Sequence, residues 1–369
     1  MNKLKKTPLY EEHSRINPEF GSFAGWILPL FYEGIIPEHN HCRTNCSIFD
    51  TCHMGILNFK GDIAASGIET AFTRSISRIP NGHGKYGFIL NENAGIIDDL
   101  ILFRISDDEL MIVVNASTVN KDFKAISERI KSGELTDVSK NTAKIDIQGP
   151  LCLDVLRDTL NLPVEQKLFE IRKYALLDKK ILLSRTGYTG ELGYELFLPP
   201  DIAPRIWRTL INDPRVKPAG LGARDILRLE MGYSLYGSDI SEDTTPLQAD
   251  LAFFIDMDKN FVGKDALLEE KKRGHEKCKI AFATESRRAP RQGYSILLDN
   301  IEIGKVSSGT FAPSLNCGIG LGYIDSKSKV SDATFMITKG KSINIAAKLV
   351  KLPFYKKGTL RYPHTNTLH

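Results

Sequence analysis

Short apolar segments separated by turn residues recur along the whole chain, and the way they are connected changes near residue 276. Upstream, strand-like segments such as Tyr86–Leu90 and Ile96–Ile105 are followed by a helix-like segment in which Val119, Phe123 and Ile126 are spaced by four and three residues. Downstream, the segments pair as short hairpins with no helix between them. This change of pattern predicts an α+β body followed by a small all-β domain that closes as a barrel.

A chain of 369 residues is too long for one ordinary domain. We expect a body at residues 1–275, made of two interwoven units of which the second covers roughly residues 51–140, and a C-terminal β-barrel domain at residues 276–369. The charged stretch Glu269–Arg273 is predicted to link the body to the barrel.

Composition excludes several classes of protein. The chain has 42% hydrophobic and 25% charged residues, as globular proteins do, and its net charge of +4 is too small to argue for nucleic-acid binding. No apolar run approaches the roughly 18 residues of a membrane helix, and no apolar signal core follows the basic stretch Met1–Lys6. We therefore expect a cytoplasmic protein with free cysteines that binds neither nucleic acid nor a membrane.

Two adjacent carboxylates, Asp98 and Asp99, stand at the head of the apolar segment Leu100–Phe103. Side chains alternate along a strand, so one carboxylate points to each face and each has apolar neighbours. A carboxylate in such surroundings needs a partner, a ligand or a raised pKa. The pattern is open to two interpretations: a functional acid, or two acids that cap a turn at the strand end.

The stretch Arg185–Glu195 contains three glycines, which permit close approach of the backbone to a ligand. Aromatic side chains beside Glu195 suit a flat heterocycle with ring N–H donors, because the rings stack while the carboxylate accepts hydrogen bonds. The alternative is a hairpin turn with a surface glutamate.

Glycines in the segment 218–222 precede a predicted helix that places Arg224 and Asp225 near its N-terminus. An arginine beside free backbone N–H groups can hold an anionic or carbonyl oxygen, although an ordinary surface arginine fits the pattern equally well. The glycine spacing is not that of a dinucleotide-binding motif.

Histidines and cysteines cluster between His39 and His53, but their spacing fits none of the paired-cysteine zinc templates. We therefore predict no metal site. No phosphate-binding loop and no serine-nucleophile motif occur in the sequence, which argues against NTPases and hydrolases of those classes.

In their order and spacing, these motifs resemble the glycine cleavage T-protein family, which acts on tetrahydrofolate. The resemblance runs nearly from end to end of the sequence. Its strongest matches are Gly25–Leu30, His53–Gly55, Gly95–Asp99, Gln148–Pro150, Arg185–Glu195, Gly220–Asp225 and Ser308–Pro313.

This resemblance implies a three-domain cloverleaf, with two interwoven α/β units and a C-terminal β-barrel around a folate channel. By motif position, Asp99 corresponds to the key acid beside the reduced pterin nitrogens. Arg361 and Arg291 match basic positions near the glutamyl tail or the channel mouth. The residues that match positions lining the pterin pocket are Tyr86, Asn115, Tyr188, Glu195 and Arg224.

The resemblance also implies the reaction: the methylene of an aminomethyl group passes from the lipoyl arm of the H-protein to tetrahydrofolate, and ammonia is released. A fixed carboxylate can stabilise positive charge that develops on the pterin nitrogens. Three positions depart from the family pattern. Cys52 stands where serine is usual, and Phe103 and Phe169 stand where tyrosines occur in some members.

Two other functions would share this fold. One is a tetrahydrofolate-dependent demethylase that takes a methyl group from an onium donor such as dimethylsulfoniopropionate. The other is a non-catalytic folate-binding protein of the kind linked to iron–sulfur assembly, for which Asp99 would be dispensable. The intact stretches Gly95–Asp99 and Arg185–Glu195 favour the aminomethyl transfer.

Overall fold

The computed structural model describes residues 4–330, 333–340 and 343–361. Three β-assemblies organise these residues: a five-stranded sheet, a six-stranded sheet and a closed six-stranded barrel. A separate two-stranded hairpin lies near the N-terminus.

The elements of the N-terminal part, in chain order, are α1 (Tyr10–Arg15), β1 (Glu19–Phe23), β2 (Trp26–Phe31), α2 (Ile35–Thr44), β3 (Cys46–Asp50), β4 (Gly55–Lys60), β5 (His83–Leu90), β6 (Ile96–Arg104), β7 (Glu109–Val114), α3 (Val119–Ser127) and β8 (Glu134–Asp137). Those of the central part are β9 (Ala143–Gln148), α4 (Cys152–Leu160), β10 (Ile171–Leu176), β11 (Lys179–Ser184), β12 (Gly193–Leu198), α5 (Ala203–Ile211), β13 (Val216–Pro218), α6 (Leu221–Glu230) and α7 (Lys264–Arg273). Those of the C-terminal part are β14 (Lys277–Thr284), β15 (Ser295–Leu298), β16 (Ile301–Ala312), β17 (Cys317–Asp325), β18 (Thr334–Lys339) and β19 (Ile343–Leu349).

The five-stranded sheet has the order β5-β6-β7-β4-β8 and is antiparallel throughout. One face packs against α3 and the segment before β5, because alternate residues such as Leu100, Leu102 and Ile112 are apolar and fully buried there. The opposite face carries Phe103 towards Phe197 of the second sheet, with 6.4 Å between the ring centroids. The sheet is thus covered on both sides.

The six-stranded sheet has the order β10-β11-β12-β9-β3-β13, in which only β13 pairs in parallel with its neighbour. Helices α4 and α5 cover one face, where Trp207 packs with the apolar side chains of β9 and β12. Helices α2 and α6 pack against Phe49 on the other face. Strand β9 lies in the middle of this sheet, so both of its faces are buried.

The barrel closes in the order β14-β17-β16-β15-β18-β19, with β19 returning to β14. It is fastened to the body by a buried polar contact. Arg228 on α6 donates to Asp239 at 2.8 Å and to the Ser308 hydroxyl on β16 at 2.9 Å. Apolar packing of Leu229 against Ile319 and Leu321 supports the same junction.

These observations confirm the predicted α+β fold with a C-terminal β-barrel, including the three consecutive strands β5, β6 and β7. The stretch Glu269–Arg273, predicted as a linker, forms the last turn and a half of α7, and Leu267 and Glu270 are buried on the inner side of this helix. The domain bounds 1–275, 51–140 and 276–369 stay predictions, and residues 362–369 lie outside the described part. No helix in the described residues has the length and apolar composition needed to cross a membrane.

Candidate functional site

Asp98 and Asp99 lie inside β6 and point to opposite faces of the five-stranded sheet. Asp98 is fully buried, whereas Asp99 is half-buried. Tyr86 on the adjacent strand β5 donates its hydroxyl to Asp99 Oδ2 over 3.0 Å. Asp98 does accept a backbone N–H where β7 turns towards α3, from Asn115 at 2.9 Å. Asp99 makes no such contact, so the turn-capping interpretation fits Asp98 and not Asp99.

A single amide group joins the two carboxylates. Asn115 Nδ2 lies 2.9 Å from Asp98 Oδ1 and 3.0 Å from Asp99 Oδ1, and it donates to both. Burial, and in second place the negative charge of Asp98, raise the pKa of Asp99 to about 7. Asp99 therefore exchanges its proton near neutral pH, in reach of a molecule bound beside Tyr86.

A second cluster on the six-stranded sheet joins Glu195 to Arg224. Lys144 on β9 donates to Glu195 Oε1 at 2.8 Å and to Asp146 Oδ1 at 2.5 Å. Asp146 Oδ2 in turn accepts a hydrogen bond of 2.7 Å from Arg224. The other oxygen of Glu195 accepts from the Thr186 hydroxyl at 2.8 Å. Positive and negative groups therefore alternate along Glu195, Lys144, Asp146 and Arg224.

The positively charged neighbours of Asp146 determine how this buried acid ionises. Burial by itself would raise the pKa of Asp146, but the charges of Lys144 and Arg224 outweigh burial and the pKa is lowered. Glu195 is 4% exposed, so the alternative of a surface glutamate on a hairpin is wrong. Arg224 is half-buried and bonded to Asp146, so the alternative of an ordinary surface arginine is wrong as well.

Tyr188 stands between the two clusters. On one side, the Arg224 guanidinium carbon lies 5.1 Å from the centroid of the Tyr188 ring, which places Tyr188 next to the second cluster. Burial is the main cause of its raised pKa, and the negative charge of Asp99 adds to it, so Asp99 also lies close by. The Tyr188 hydroxyl donates to the main-chain oxygen of Ser234 at 2.5 Å. The ring is thereby fixed between the acid on one sheet and the arginine next to the other.

The outer basic residues lie in different places. Arg361 is exposed and close to Tyr233, whose ring stacks on Tyr188 with 5.7 Å between the centroids. Arg291 is exposed on the segment before β15. Six of the predicted residues thus form two sets of contacts that lie close to each other at Tyr188, and Arg361 lies near Tyr233 beside them. The six are Asp99, Tyr86, Asn115, Tyr188, Glu195 and Arg224.

Comparisons with known proteins bear on this arrangement. The GCVT N-terminal domain matches residues 9–259, and the glycine cleavage T-protein C-terminal barrel domain matches residues 278–356. An aminomethyltransferase of Thermotoga petrophila is 39% identical over 364 residues, which cover 97% of this chain and 99% of the relative. An aminomethyltransferase of Caldanaerobacter subterraneus is 39% identical over 366 residues, 97% of each chain.

The chain belongs to the glycine cleavage T-protein family. A crystal structure of the glycine cleavage system aminomethyltransferase T from Bartonella henselae superposes with a TM-score of 0.91 at 33% identity, covering 96% of this chain and 99% of that one. The predicted family and fold are therefore confirmed. The predicted activity is confirmed too: this T-protein family member is an aminomethyltransferase.

The histidines and cysteines of the segment 39–53 have other partners. His39 Nε2 lies 2.9 Å from Glu230, and His41 contacts main-chain oxygens. Burial raises the pKa of the Cys42 thiol to about 12, so it stays protonated at neutral pH. Within the described residues, no group of three or more such side chains is placed to hold a metal ion.

The positions that depart from the family pattern are also placed. Phe103 is fully buried between the two sheets, and its ring packs against Phe197. Phe169 is half-buried, with a positive φ of 65° in the segment before β10. The Cys52 thiol donates to the main-chain oxygen of Lys144 at 3.4 Å and accepts from its N–H at 3.3 Å.

The sequence reasoning missed Lys144, Asp146 and Asp122. The first two could have been found from β9, where Lys144, Asp146 and Gln148 occupy one face and Ala143, Ile145 and Ile147 the other. Alternation of polar and apolar side chains in a strand that is predicted to be buried indicates that its polar face is turned towards a site. Asp122 carries no comparable signal, because a lone acid in the first turn of a helix is ordinary.

Proposed function

We propose that this aminomethyltransferase works in the cytoplasm, with tetrahydrofolate as the acceptor and the aminomethylated lipoyl arm of the H-protein as the donor. In this reaction the C–S and C–N bonds of the aminomethyl group break, and two bonds form between its carbon and the folate nitrogens. Of the two folate N–H protons, one protonates the departing thiolate and the other converts the departing ammonia to ammonium. The products are the dihydrolipoyl arm, ammonium and 5,10-methylenetetrahydrofolate.

The chemistry of the site residues suits a reduced pterin. Tyr86 is bonded to Asp99 and Tyr188 lies close to it, and aromatic rings of this kind stack on flat heterocycles. Carboxylates accept hydrogen bonds from ring N–H groups, and the Arg224 guanidinium donates to carbonyl oxygens. Because Glu195 is already bonded to Lys144 and Thr186, it would contact the pterin through its remaining lone pairs.

The observation that carries the proposal is the state of Asp99: a half-buried carboxylate, held by Tyr86 and Asn115, whose pKa of about 7 makes it available in both protonation states. Its ionised form would stabilise positive charge that develops on the attacking folate nitrogen. The fixed position would also orient that nitrogen towards the carbon of the donor, since proximity supplies a large part of such rate accelerations. Arg361, exposed at the rim near Tyr233, would bind the negatively charged glutamyl tail.

Asp99→Asn is the direct test. The amide keeps the size of the side chain but has no negative charge, so we expect turnover to fall by about 100-fold or more while folding is retained. The matched control is Asp108→Asn, an exposed carboxylate on the same β6–β7 hairpin, which should turn over normally. Steady-state release of ammonia measures both variants, and near-normal turnover of Asp99→Asn would refute the assigned role.

The donor is tested separately in the wild-type protein with tetrahydrofolate. Aminomethylated H-protein should yield ammonia and methylenetetrahydrofolate, whereas dimethylsulfoniopropionate should yield no methyltetrahydrofolate. The reverse result would establish the demethylase function instead. Binding of tetrahydrofolate without turnover of either donor would favour the non-catalytic alternative.

A further inference from the structure

A third acid, Asp122, lies behind the two carboxylates Asp98 and Asp99 of β6. Asp122, in the first turn of α3, is 0% exposed, as is Asp98, and the two carboxyl groups lie close enough that each acts on the pKa of the other. In the described part of the chain, neither oxygen of Asp122 accepts a hydrogen bond of normal geometry, and the nearby Thr118 hydroxyl donates to the main-chain oxygen of Asn115 at 3.0 Å. Both oxygens of Asp98, in contrast, accept hydrogen bonds from Asn115.

Within the described ranges, no ion pair involves Asp98, Asp99 or Asp122. The nearest lysines are engaged elsewhere: Lys121 is bonded to Glu242, and Lys279 of β14 donates to the Ser234 hydroxyl. The other titratable groups that face the three acids are the tyrosines Tyr86, Tyr188 and Tyr236.

Two carboxylates that face each other in a buried place cannot both be ionised, because each charge loses its hydration and repels the other. A single proton between them removes the repulsion and supplies the donor that Asp122 otherwise lacks. Since Asp98 already accepts two hydrogen bonds, the negative charge belongs on Asp98 and the proton on Asp122. Burial, followed by the charge of Asp98, raises the pKa of Asp122 to about 10, which agrees with this assignment.

We propose that Asp98 and Asp122 form a buried acid pair that shares one proton, and that the negative charge of this pair, held beside Asp99 by the Asn115 amide that bridges Asp98 and Asp99, opposes the ionisation of Asp99. Asp98 and Asp122 are positioning residues, because they act on the reaction only through Asp99. The part of this inference that concerns turnover rests on the proposed function of Asp99. The shared proton does not.

The shared proton is tested on the free protein, without substrates. A protonated carboxyl group has a C=O stretching band in the infrared that a carboxylate lacks. At pH 8, the difference spectrum of wild type minus Asp122→Asn should contain one such band, whereas wild type minus Asp108→Asn should contain only carboxylate bands. If the first difference spectrum also contained only carboxylate bands, the acid pair would be overturned.

The effect on Asp99 is tested by the pH dependence of kcat/KM, which reports the free enzyme. The negative charge of Asp98 raises the pKa of Asp99, so Asp98→Asn should move the acid limb to lower pH by about one unit. The amide of Asp122→Asn still donates a hydrogen bond to Asp98 and leaves the negative charge of Asp98 in place. The acid limb of this variant should therefore lie at the same pH as in the wild type. Asp108→Asn controls for net charge and should also leave the limb unmoved.

These outcomes separate the two proposals. An acid limb that stays in place in Asp98→Asn, or that moves equally in Asp122→Asn, overturns the control of Asp99 by the pair. Retained turnover in Asp99→Asn refutes the proposed role of Asp99, yet the infrared band would still establish the pair of Asp98 and Asp122. If Asp98 had only a structural role, Asp98→Asn would change the free energy of unfolding without moving the acid limb of the pH profile.

Discussion

The two carboxylate clusters on either side of Tyr188 use the same residue type in opposite ways. Asp146 on β9 is fully buried, yet its pKa is lowered because Lys144 and Arg224 contact it. Asp99 on β6 is more exposed, yet burial raises its pKa to about 7, and the charge of its acidic neighbour Asp98 adds to this effect. The sign of the neighbouring charge therefore decides whether the effect of burial is reversed or reinforced.

This difference suits the two clusters to different tasks. The cluster on the six-stranded sheet pairs two acids with two bases through hydrogen bonds, which makes it a fixed set of dipoles for binding. The cluster on the five-stranded sheet carries excess negative charge and a proton that can be exchanged, which suits the chemical step. The following predictions test this contrast.

The largest effect is expected for Lys144→Met. The substitution leaves Asp146 and Glu195 buried with one cation fewer, and loss of one member of a buried ion pair typically costs about 3–5 kcal/mol. Urea unfolding at pH 7 measures the change in the free energy of unfolding. The control Lys180→Met removes an exposed lysine from β11 and should change it by less than about 0.5 kcal/mol. Equal stability of the two variants would show that the charge alternation contributes nothing.

Asp122→Asn should alter the pH dependence of stability. The pKa of Asp122 is about 10 in the folded protein, against 3.8 as its ordinary value. Between these values the unfolded chain has released a proton that the folded chain keeps, so wild-type stability declines with rising pH. The variant lacks this contribution. Its stability relative to wild type should therefore rise by about 1.4 kcal/mol per pH unit from pH 5 to pH 8.

Urea unfolding of both proteins at several pH values in that range gives the slope. Asp108→Asn, which removes an exposed carboxylate from the β6–β7 hairpin, serves as the control. Parallel stability curves for wild type and Asp122→Asn would mean that Asp122 is ionised in the folded protein. The cluster on the five-stranded sheet would then not retain the proton on Asp122.

The smallest effect is expected at Cys52. Its thiol bonds to the main-chain N–H and oxygen of Lys144, and so helps to fix the start of β9. Cys52→Ala removes both contacts and should cost about 1 kcal/mol in the free energy of unfolding. Cys52→Ser keeps a donor and an acceptor at the same place and should recover most of that loss. A serine variant as unstable as the alanine variant would show that packing, and not hydrogen bonding, is what the thiol supplies.

Much of this protein could be predicted from local patterns alone. Apolar segments separated by turn residues predicted strands such as β5 and β6, and the spacing of Val119, Phe123 and Ile126 predicted α3. Hairpin spacing predicted the barrel. The neighbourhood of Asp99 among apolar residues already indicated a carboxylate with an unusual environment, and the motif order indicated the family.

Charge partners could not be predicted in this way, because they come from distant parts of the chain. Asp146 meets Arg224 across 78 positions, and Glu195 meets Lys144 across 51. The charged stretch Glu269–Arg273 looked like a linker because the buried side of its helix is visible only once the body has folded around it. Local sequence thus determined which segments become strands and which residues carry charge. Only the tertiary structure decided which charges lie together, and through them which acid keeps its proton, since Coulomb interactions depend on distance in space and not along the chain.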